Sequence, residues 1–159
     1  MPATRTPLAR LRTLCLALPE AHEVEAWGEP TFRVKNKMFA THASAETHHG
    51  DGRECVWIKS AHVTQDMLVR ADPKRYFVPP YVGKSGWVGA YIDRDVDWEI
   101  VGDLLRDAYR LTAPKKLVTQ LDAPVPAKAR ASAKSKTPAK SRTPAGSRAP
   151  AKKRGNLRK

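Results

Sequence analysis

The chain has 159 residues and a formal net charge of +13, from 29 basic and 16 acidic residues. No stretch approaches the roughly 20 apolar residues of a transmembrane helix, so we expect a soluble, cytoplasmic protein. Two cysteines are too few for a disulfide framework. Since Cys15 and Cys55 both sit in apolar stretches, they are predicted to be buried free thiols, typical of a reducing compartment.

Nearly all of the excess charge lies at the C-terminal end of the chain. Ala123–Lys159 contains twelve basic residues and no acidic residue, which leaves Met1–Asp122 with 17 basic against 16 acidic residues, a net charge of +1. Every Trp, Tyr, Phe, Met, Cys and His also lies before the tail. The composition predicts one globular domain over residues 1–115 and a disordered Lys/Arg/Ala/Pro-rich tail over residues 116–159.

The first predicted element is a helix. Thr6-Pro7 has the pattern of an N-cap followed by proline at the first helical position. Apolar residues then recur at steps of three and four as far as Leu18, and Pro19 ends the helix. Residues 20–29 are expected to be a polar connection.

A run of strands is predicted next. Residues 31–35 and 37–41 alternate around Asn36, which predicts a tight antiparallel hairpin. Residues 42–52 are expected to be a loop, and residues 54–59 a third strand. The remaining predicted elements are a short helix begun at Ser60, a short strand at 76–78, a loop at 81–86, a strand at 87–92, and a final helix capped by Asp95 or Asp97 and ended by Pro114.

This order of elements predicts an α+β domain. We expect a two-layer sandwich in which an antiparallel sheet carries the helices on one face. The other face is then left to the remaining apolar and aromatic side chains.

A series of short motifs occurs between Leu11 and about Leu111. They are Leu18-Pro19-Glu20, Trp27 to Val34, Lys37 to Ala40, Arg75-Tyr76-Phe77, Pro80 to Lys84, Gly86 to Gly89, and the terminal helix with Tyr109. Their combination and order resemble the MmcQ/YjbR family. The resemblance implies the α/β sandwich shared with the bacterial frataxin homologue, a bacterial source, and the DNA-binding label that the family usually carries. It implies no catalytic residues.

The tail has the composition of a nucleic-acid tether. Prolines about every six residues discourage helix and sheet, and lysines and arginines neutralise phosphates without reading bases. The pattern looks like the basic tails of linker histones. We predict sequence-independent binding of nucleic acid, DNA rather than RNA, by a nucleoid-associated protein. The predicted contact residues are Lys128, Arg130, Lys134, Lys136, Lys140, Arg142, Arg148, Lys152, Lys153, Arg154, Arg158 and Lys159.

Other roles for the tail stay open at this point. An anionic lipid surface or another acidic partner would also attract it, and it could serve only for solubility. We expect no membrane partner.

The domain itself offers a second candidate surface. Aromatic residues interleaved with cations can stack bases and pair phosphates, although most aromatic residues of sheets are half-buried or in the core. A different hypothesis is that the sheet face, including Trp27, binds a small molecule or a protein partner while the tail only tethers it. A concave aromatic pocket would favour that hypothesis, and a flat basic face would favour DNA. The candidate surface residues are Arg33, Arg75, Tyr81, Lys84 and Trp87.

No motif predicts an enzyme, a cofactor or a metal site. Gly83-Lys84-Ser85 is not a phosphate loop, because Val78 stands where that motif needs glycine, so its glycines are expected to form a turn between strands. A loop exposed to solvent is predicted for His42, His48 and His49, near Asp51 and Cys55, in preference to a metal site. Helix capping is predicted for Asp93, Asp95, Asp97 and Glu99, in preference to a calcium loop.

Overall fold

The computed structural model describes residues 5–47 and 52–123. These residues form a six-stranded sheet and four helices. In chain order the elements are α1 (Pro7–Leu16), β1 (Ala21–Ala26), β2 (Glu29–Val34), β3 (Lys37–Ala43), β4 (Cys55–Ile58), α2 (His62–Ala71), β5 (Tyr76–Phe77), a 3-10 turn (Gly83–Ser85), β6 (Val88–Tyr91), α3 (Trp98–Thr112) and α4 (Lys115–Asp122).

The strands lie in the order β1-β2-β3-β4-β6-β5, and every neighbouring pair is antiparallel. Strands β1 and β5 are therefore the two edges of the sheet. The α+β class predicted from the sequence is confirmed. No helix in the described part of the chain has the length and apolar character needed to cross a membrane.

The main hydrophobic core lies between the helices and one face of the sheet. Leu11 of α1, Phe32 of β2, Phe39 of β3 and Ile58 of β4 are fully buried in it. Tyr109 of α3 is also fully buried and meets Phe39 edge to face, with 5.9 Å between the ring centroids. Among the described residues, the apolar cluster on the opposite face of the sheet contains no residue of an α-helix, and we call that face the helix-free face.

Local signals in the sequence set several boundaries. The Thr6 hydroxyl accepts the Ala9 N–H at 3.1 Å, and Asp97 Oδ1 accepts the N–H groups of Glu99 and Ile100, so both residues cap helices as predicted. The β2–β3 turn consists of Lys35 and Asn36, both with left-handed φ angles, which is the type I′ geometry that two-residue hairpins favour.

The prediction of a polar connection over residues 20–29 is wrong. Strand β1 occupies most of this range and pairs with β2 from Ala21↔Val34 to Ala26↔Glu29. An edge strand needs no apolar alternation, because backbone hydrogen bonds to one neighbour hold it in place. Val24 is 37% exposed, so the strand lacks the buried side chains that would mark it in a sequence.

The folded unit also extends beyond residue 115, where the composition places the end of the domain. Helix α4 follows Pro114, buries Leu117 against the main core, and ends with Asp122 paired to Arg110 of α3 at 2.7 Å. The compact unit runs to Ala123. The predicted disorder of the tail beyond it falls on residues that the structure does not describe.

Candidate binding pocket on the helix-free face

A second apolar cluster covers the helix-free face of the sheet. Trp57 of β4 and Trp87 are each 7% exposed and pack with Ala43 and Cys55. Partly buried Met38, Phe77, Val82 and Tyr91 complete the cluster. Trp87 is thus a buried residue of this face, and its expected place on the open surface is corrected.

A pocket of about 340 Å³ opens on this face, next to the cluster. It is built from the β1–β2 turn, the strands β2, β3 and β4, and the loop that precedes the 3-10 turn. Its lining residues are Ala26, Trp27, Glu29, Met38, Thr41, His42, Ala43, Trp57, Tyr81 and Val82. The helix-free face is therefore concave and aromatic at this point.

Two of the aromatic residues that line the pocket share an unusual geometry. Trp27 is 79% exposed and Tyr81 is 81% exposed, and their φ angles are +56° and +65°. A left-handed backbone is uncommon for any residue other than glycine and is an outlier for bulky side chains. At Trp27 this φ belongs to the two-residue β1–β2 turn, in which Gly28 follows with a φ of +80°, as in the type I′ turn of Lys35 and Asn36. The turn thus presents the Trp27 ring to solvent.

A buried ionic group lies beside these rings. His42 Nδ1 is 2.8 Å from Glu29 Oε2, and His42 Nε2 is 2.9 Å from Glu54 Oε1. The His42 side chain is 4% exposed and that of Glu29 is 8% exposed. The Ser44 N–H donates to the other Glu29 oxygen at 2.7 Å. His42 therefore belongs to β3 and to the protein interior, which corrects its expected place on an exposed loop.

The charge of this group follows from its hydrogen bonds. Each contact between His42 and a carboxylate needs one proton, so two protons are shared by one imidazole and two carboxyl groups. Whichever atoms carry them, the group of His42, Glu29 and Glu54 keeps one net negative charge. Burial by itself raises the pKa of Glu29, but hydrogen bonds from Ser44 and His42 outweigh it and hold the pKa below its usual range.

A different kind of surface lies around Tyr91, on the strand next to β4. Arg53 makes two hydrogen bonds with Asp93, at 3.0 and 2.6 Å, and its guanidinium lies 3.9 Å from the centroid of the Tyr91 ring. Tyr91 in turn stacks on Phe77 with 4.7 Å between centroids. An open groove of about 440 Å³ here is lined by Arg53, Asp72, Lys74, Arg75, Tyr91, Arg94 and Asp95. We call it the basic groove, because four of these seven residues are basic.

The structure separates the residues predicted for the domain surface. Tyr81 lines the aromatic pocket, and Arg75 lines the basic groove, where it lies 3.6 Å from Asp72. Arg33 donates to the Thr31 hydroxyl at 3.0 Å, and Lys84 is exposed on the 3-10 turn. The twelve predicted contact residues of the tail lie outside the described residues.

The other sequence motifs have structural roles. Gly86 has a φ of +92° and ends the 3-10 turn, with Trp87 between it and β6, so the predicted strand-connecting turn is confirmed. A Cβ atom on Gly83 would overlap the Val78 side chain. The predicted histidine loop lies partly outside the described residues, since His48, His49 and Asp51 are not described.

The described residues contain no cluster of three or more His, Cys, Asp or Glu arranged to hold a metal ion. Both cysteines are buried free thiols, as the sequence predicts.

Sequence reasoning missed most of the polar lining of the pocket. Thr41 lies in no motif, Glu29 lies within the motif Trp27 to Val34 without being singled out, and the partners of His42 lie 13 and 12 residues away in the chain. Of the lining residues, Trp27 and Tyr81 are the two that the sequence places on a candidate binding surface.

The fold and this face define a small α+β domain with one helix-covered and one helix-free sheet face. The family model for YjbR matches residues 16–111, so the chain belongs to the YjbR family. The crystal structure of Deinococcus radiodurans protein DR2400, described as a DUF419 domain, is similar with 23% identity. The match covers 80% of this chain and 90% of that chain with a TM-score of 0.57, and it supports the fold. No curated protein matches the chain.

Proposed function

We propose that this protein is a non-enzymatic nucleic-acid-binding protein of the cytoplasm whose basic tail supplies most of the affinity. The observation that carries the proposal is the separation of charge along the chain, twelve basic residues and no acidic residue after Asp122 against a net charge of +1 before it. Lysines and arginines in such a segment bind phosphates and release counterions without fixed geometry.

Ion pairing within the domain supports the proposal that the tail, and not the domain, supplies most of the affinity. Eight basic residues of the described part have a side-chain nitrogen within 3.6 Å of a carboxylate oxygen. They are Arg12, Lys35, Arg53, Arg70, Arg75, Arg94, Arg106 and Arg110. A phosphate would have to compete with those carboxylates, so the domain offers nucleic acid much less free positive charge than the tail does.

The basic groove is the part of the domain best suited to add a contact. Lys74, Arg75 and Arg94 line it together with Tyr91. Asp72 and Asp95 line it too, which limits its attraction for phosphates. We expect a minor, local contribution from this groove and no reading of base sequence, and we expect DNA to be preferred over RNA.

The test compares three proteins on random duplex DNA and duplex RNA at several salt concentrations. They are the full chain, a chain ending at Asp122, and a full-length variant in which the twelve tail lysines and arginines are replaced by glutamine. We expect steep salt dependence only for the unmodified full chain, with a slope of log K against log salt no steeper than about −11.

The glutamine variant separates charge from length. Loss of affinity in both altered proteins supports binding through the tail's charge. Equal affinity of the full chain and the chain ending at Asp122 would contradict the proposal, since the domain would then be the binding module.

A further inference from the structure

We propose that the aromatic pocket on the helix-free face binds an organic cation of the methylated ammonium class. The ligand group would be a quaternary ammonium head or the equivalent group on a methylated lysine side chain. This inference is independent of nucleic-acid binding by the tail. It concerns the pocket of about 340 Å³ lined by Trp27, Trp57, Tyr81 and Glu29.

The rings supply the first part of the argument. Three aromatic side chains line one small pocket, and two of them, Trp27 and Tyr81, are about four-fifths exposed on left-handed backbone. The faces of tryptophan and tyrosine attract cations through their quadrupole, and sets of such rings recognise quaternary ammonium groups. The apolar neighbours Met38, Ala43 and Val82 suit the methyl groups of such a ligand.

Charge supplies the second part. Among the described residues that line the pocket, Glu29 is the one carboxylate, and none is lysine or arginine. His42 also lines it, but the group that it forms with Glu29 and Glu54 keeps one net negative charge. A phosphate-bearing ligand would find no lysine or arginine in this lining and would meet the net negative group of His42, Glu29 and Glu54, and a neutral ligand would leave that group uncompensated. A cation with an apolar surface satisfies both the rings and the charge.

Size supplies the third part. Sites for small molecules occupy roughly 300–1,000 Å³, and this pocket lies at the lower end of that range. This volume has room for a trimethylammonium group with a short chain. The geometry therefore favours recognition of a head group over enclosure of a large molecule.

The binding test uses the full-length protein and follows tryptophan fluorescence and heat of binding. The probes are tetramethylammonium chloride and choline chloride, at constant ionic strength. The matched control is 3,3-dimethylbutan-1-ol, which has nearly the shape of choline without its charge. We expect saturable binding of both cations and at least tenfold weaker binding of the neutral alcohol.

Variants locate the site. Trp27→Ala and Tyr81→Ala remove exposed side chains and should weaken cation binding about tenfold. Glu29→Gln should weaken it as well, with circular dichroism and thermal unfolding showing whether that variant folds. Val63→Ala is the control, because Val63 is 75% exposed on α2 and does not line the pocket. Unchanged affinity in both aromatic variants would overturn the assignment of the site, whether or not Glu29→Gln folds.

Further probes distinguish a free ligand from one carried on a polypeptide, and they test nucleosides as the competing class of ligand. A peptide with one trimethyllysine, compared with its unmethylated form, distinguishes a ligand carried on a polypeptide from free choline, and preference for either methylated probe supports the proposal. Equal binding of the neutral alcohol would overturn it. Tighter binding of adenosine or guanosine than of tetramethylammonium would also overturn it, in favour of a nucleobase site. The absence of saturable binding by any probe would do the same.

Discussion

The Tyr109 hydroxyl donates a hydrogen bond of 2.7 Å to the carbonyl oxygen of Pro19. This bond joins α3 to the segment between α1 and β1. Tyr109 is fully buried. Replacing it with phenylalanine keeps the ring and removes the donor, so the Pro19 carbonyl loses this partner. We expect Tyr109→Phe to lower the free energy of unfolding by about 1–2 kcal/mol in urea titrations. Thr119→Val, which removes an exposed hydroxyl, should change it by less than about 0.5 kcal/mol.

Replacing either of two buried glycines with alanine should change the stability of the protein, in opposite directions at the two positions. Gly89 of β6 faces Phe77 of β5, and a Cβ atom there would overlap the Phe77 ring, which stacks on Tyr91. Gly102 lies inside α3, and its added Cβ would meet Leu14 at an ordinary 3.8 Å. We expect Gly89→Ala to destabilise the protein by about 1–3 kcal/mol.

Thermal or urea unfolding measures the stability of both glycine variants. Gly102→Ala should stabilise the protein by about 0.5–1 kcal/mol, because alanine is the better helix former and the site has room for it. Destabilisation by both substitutions would contradict the packing described for α3.

The stability of the protein should depend on pH through Glu29. Its folded-state pKa lies below the usual 4.5, because hydrogen bonds from Ser44 and His42 outweigh the effect of burial. A depressed pKa contributes stability that is present above the unfolded value and is lost as the pH falls through the folded value. We expect Glu29→Gln to cost about 2 kcal/mol at pH 7 and progressively less below pH 4.5.

Urea unfolding at pH 7, 4.5 and 3 measures this difference. Glu25→Gln is the matched control, since Glu25 is exposed on the edge strand β1. A difference between wild type and Glu29→Gln that stays constant across the three pH values would show that the carboxylate is not held in its charged form by the fold.

The two thiols should resist modification in the native state. Burial raises the pKa of Cys55 to about 12 and raises that of Cys15 well above its usual value, so neither is a thiolate at pH 8. We expect a thiol-specific disulfide reagent at pH 8 to label the folded protein slowly and the urea-unfolded protein completely, with two thiols per chain. Fast labelling of one thiol without urea would contradict the burial described here.

Local chemistry explains which elements the sequence predicts. The Thr6-Pro7 start, the Asn36 turn and the Asp97 cap each depend on side chains within a few residues of the backbone groups that they serve. Helix α4 shows the limit of such signals. It follows Pro114 directly and has only eight residues, and its apolar residues Leu117, Val118 and Leu121 form a stripe little more than one turn long next to the polar sequence that follows.

The pocket could not be predicted to the same extent because its parts are distant in the chain. Trp27 belongs to the β1–β2 turn, which the sequence assigns to a connection, and Tyr81 belongs to a loop after β5. His42 looks like a loop histidine until the strand pairing brings Glu29 and Glu54 to its two nitrogens. Partners chosen by sheet register leave no spacing rule in the sequence.

The position of β1 and β5 at the borders of the sheet has a consequence for self-association. An exposed edge strand is a template on which a second chain can add its own strand. Strand β5 has only two residues, and β1 carries Glu23 and Glu25, with Glu23 held by Arg12 at 2.8 Å. A strand of another copy would find too few backbone groups at one border and negative side chains at the other. Both edges of the sheet therefore disfavour polymerisation by strand addition, even where binding through the tails brings several copies of the domain close together.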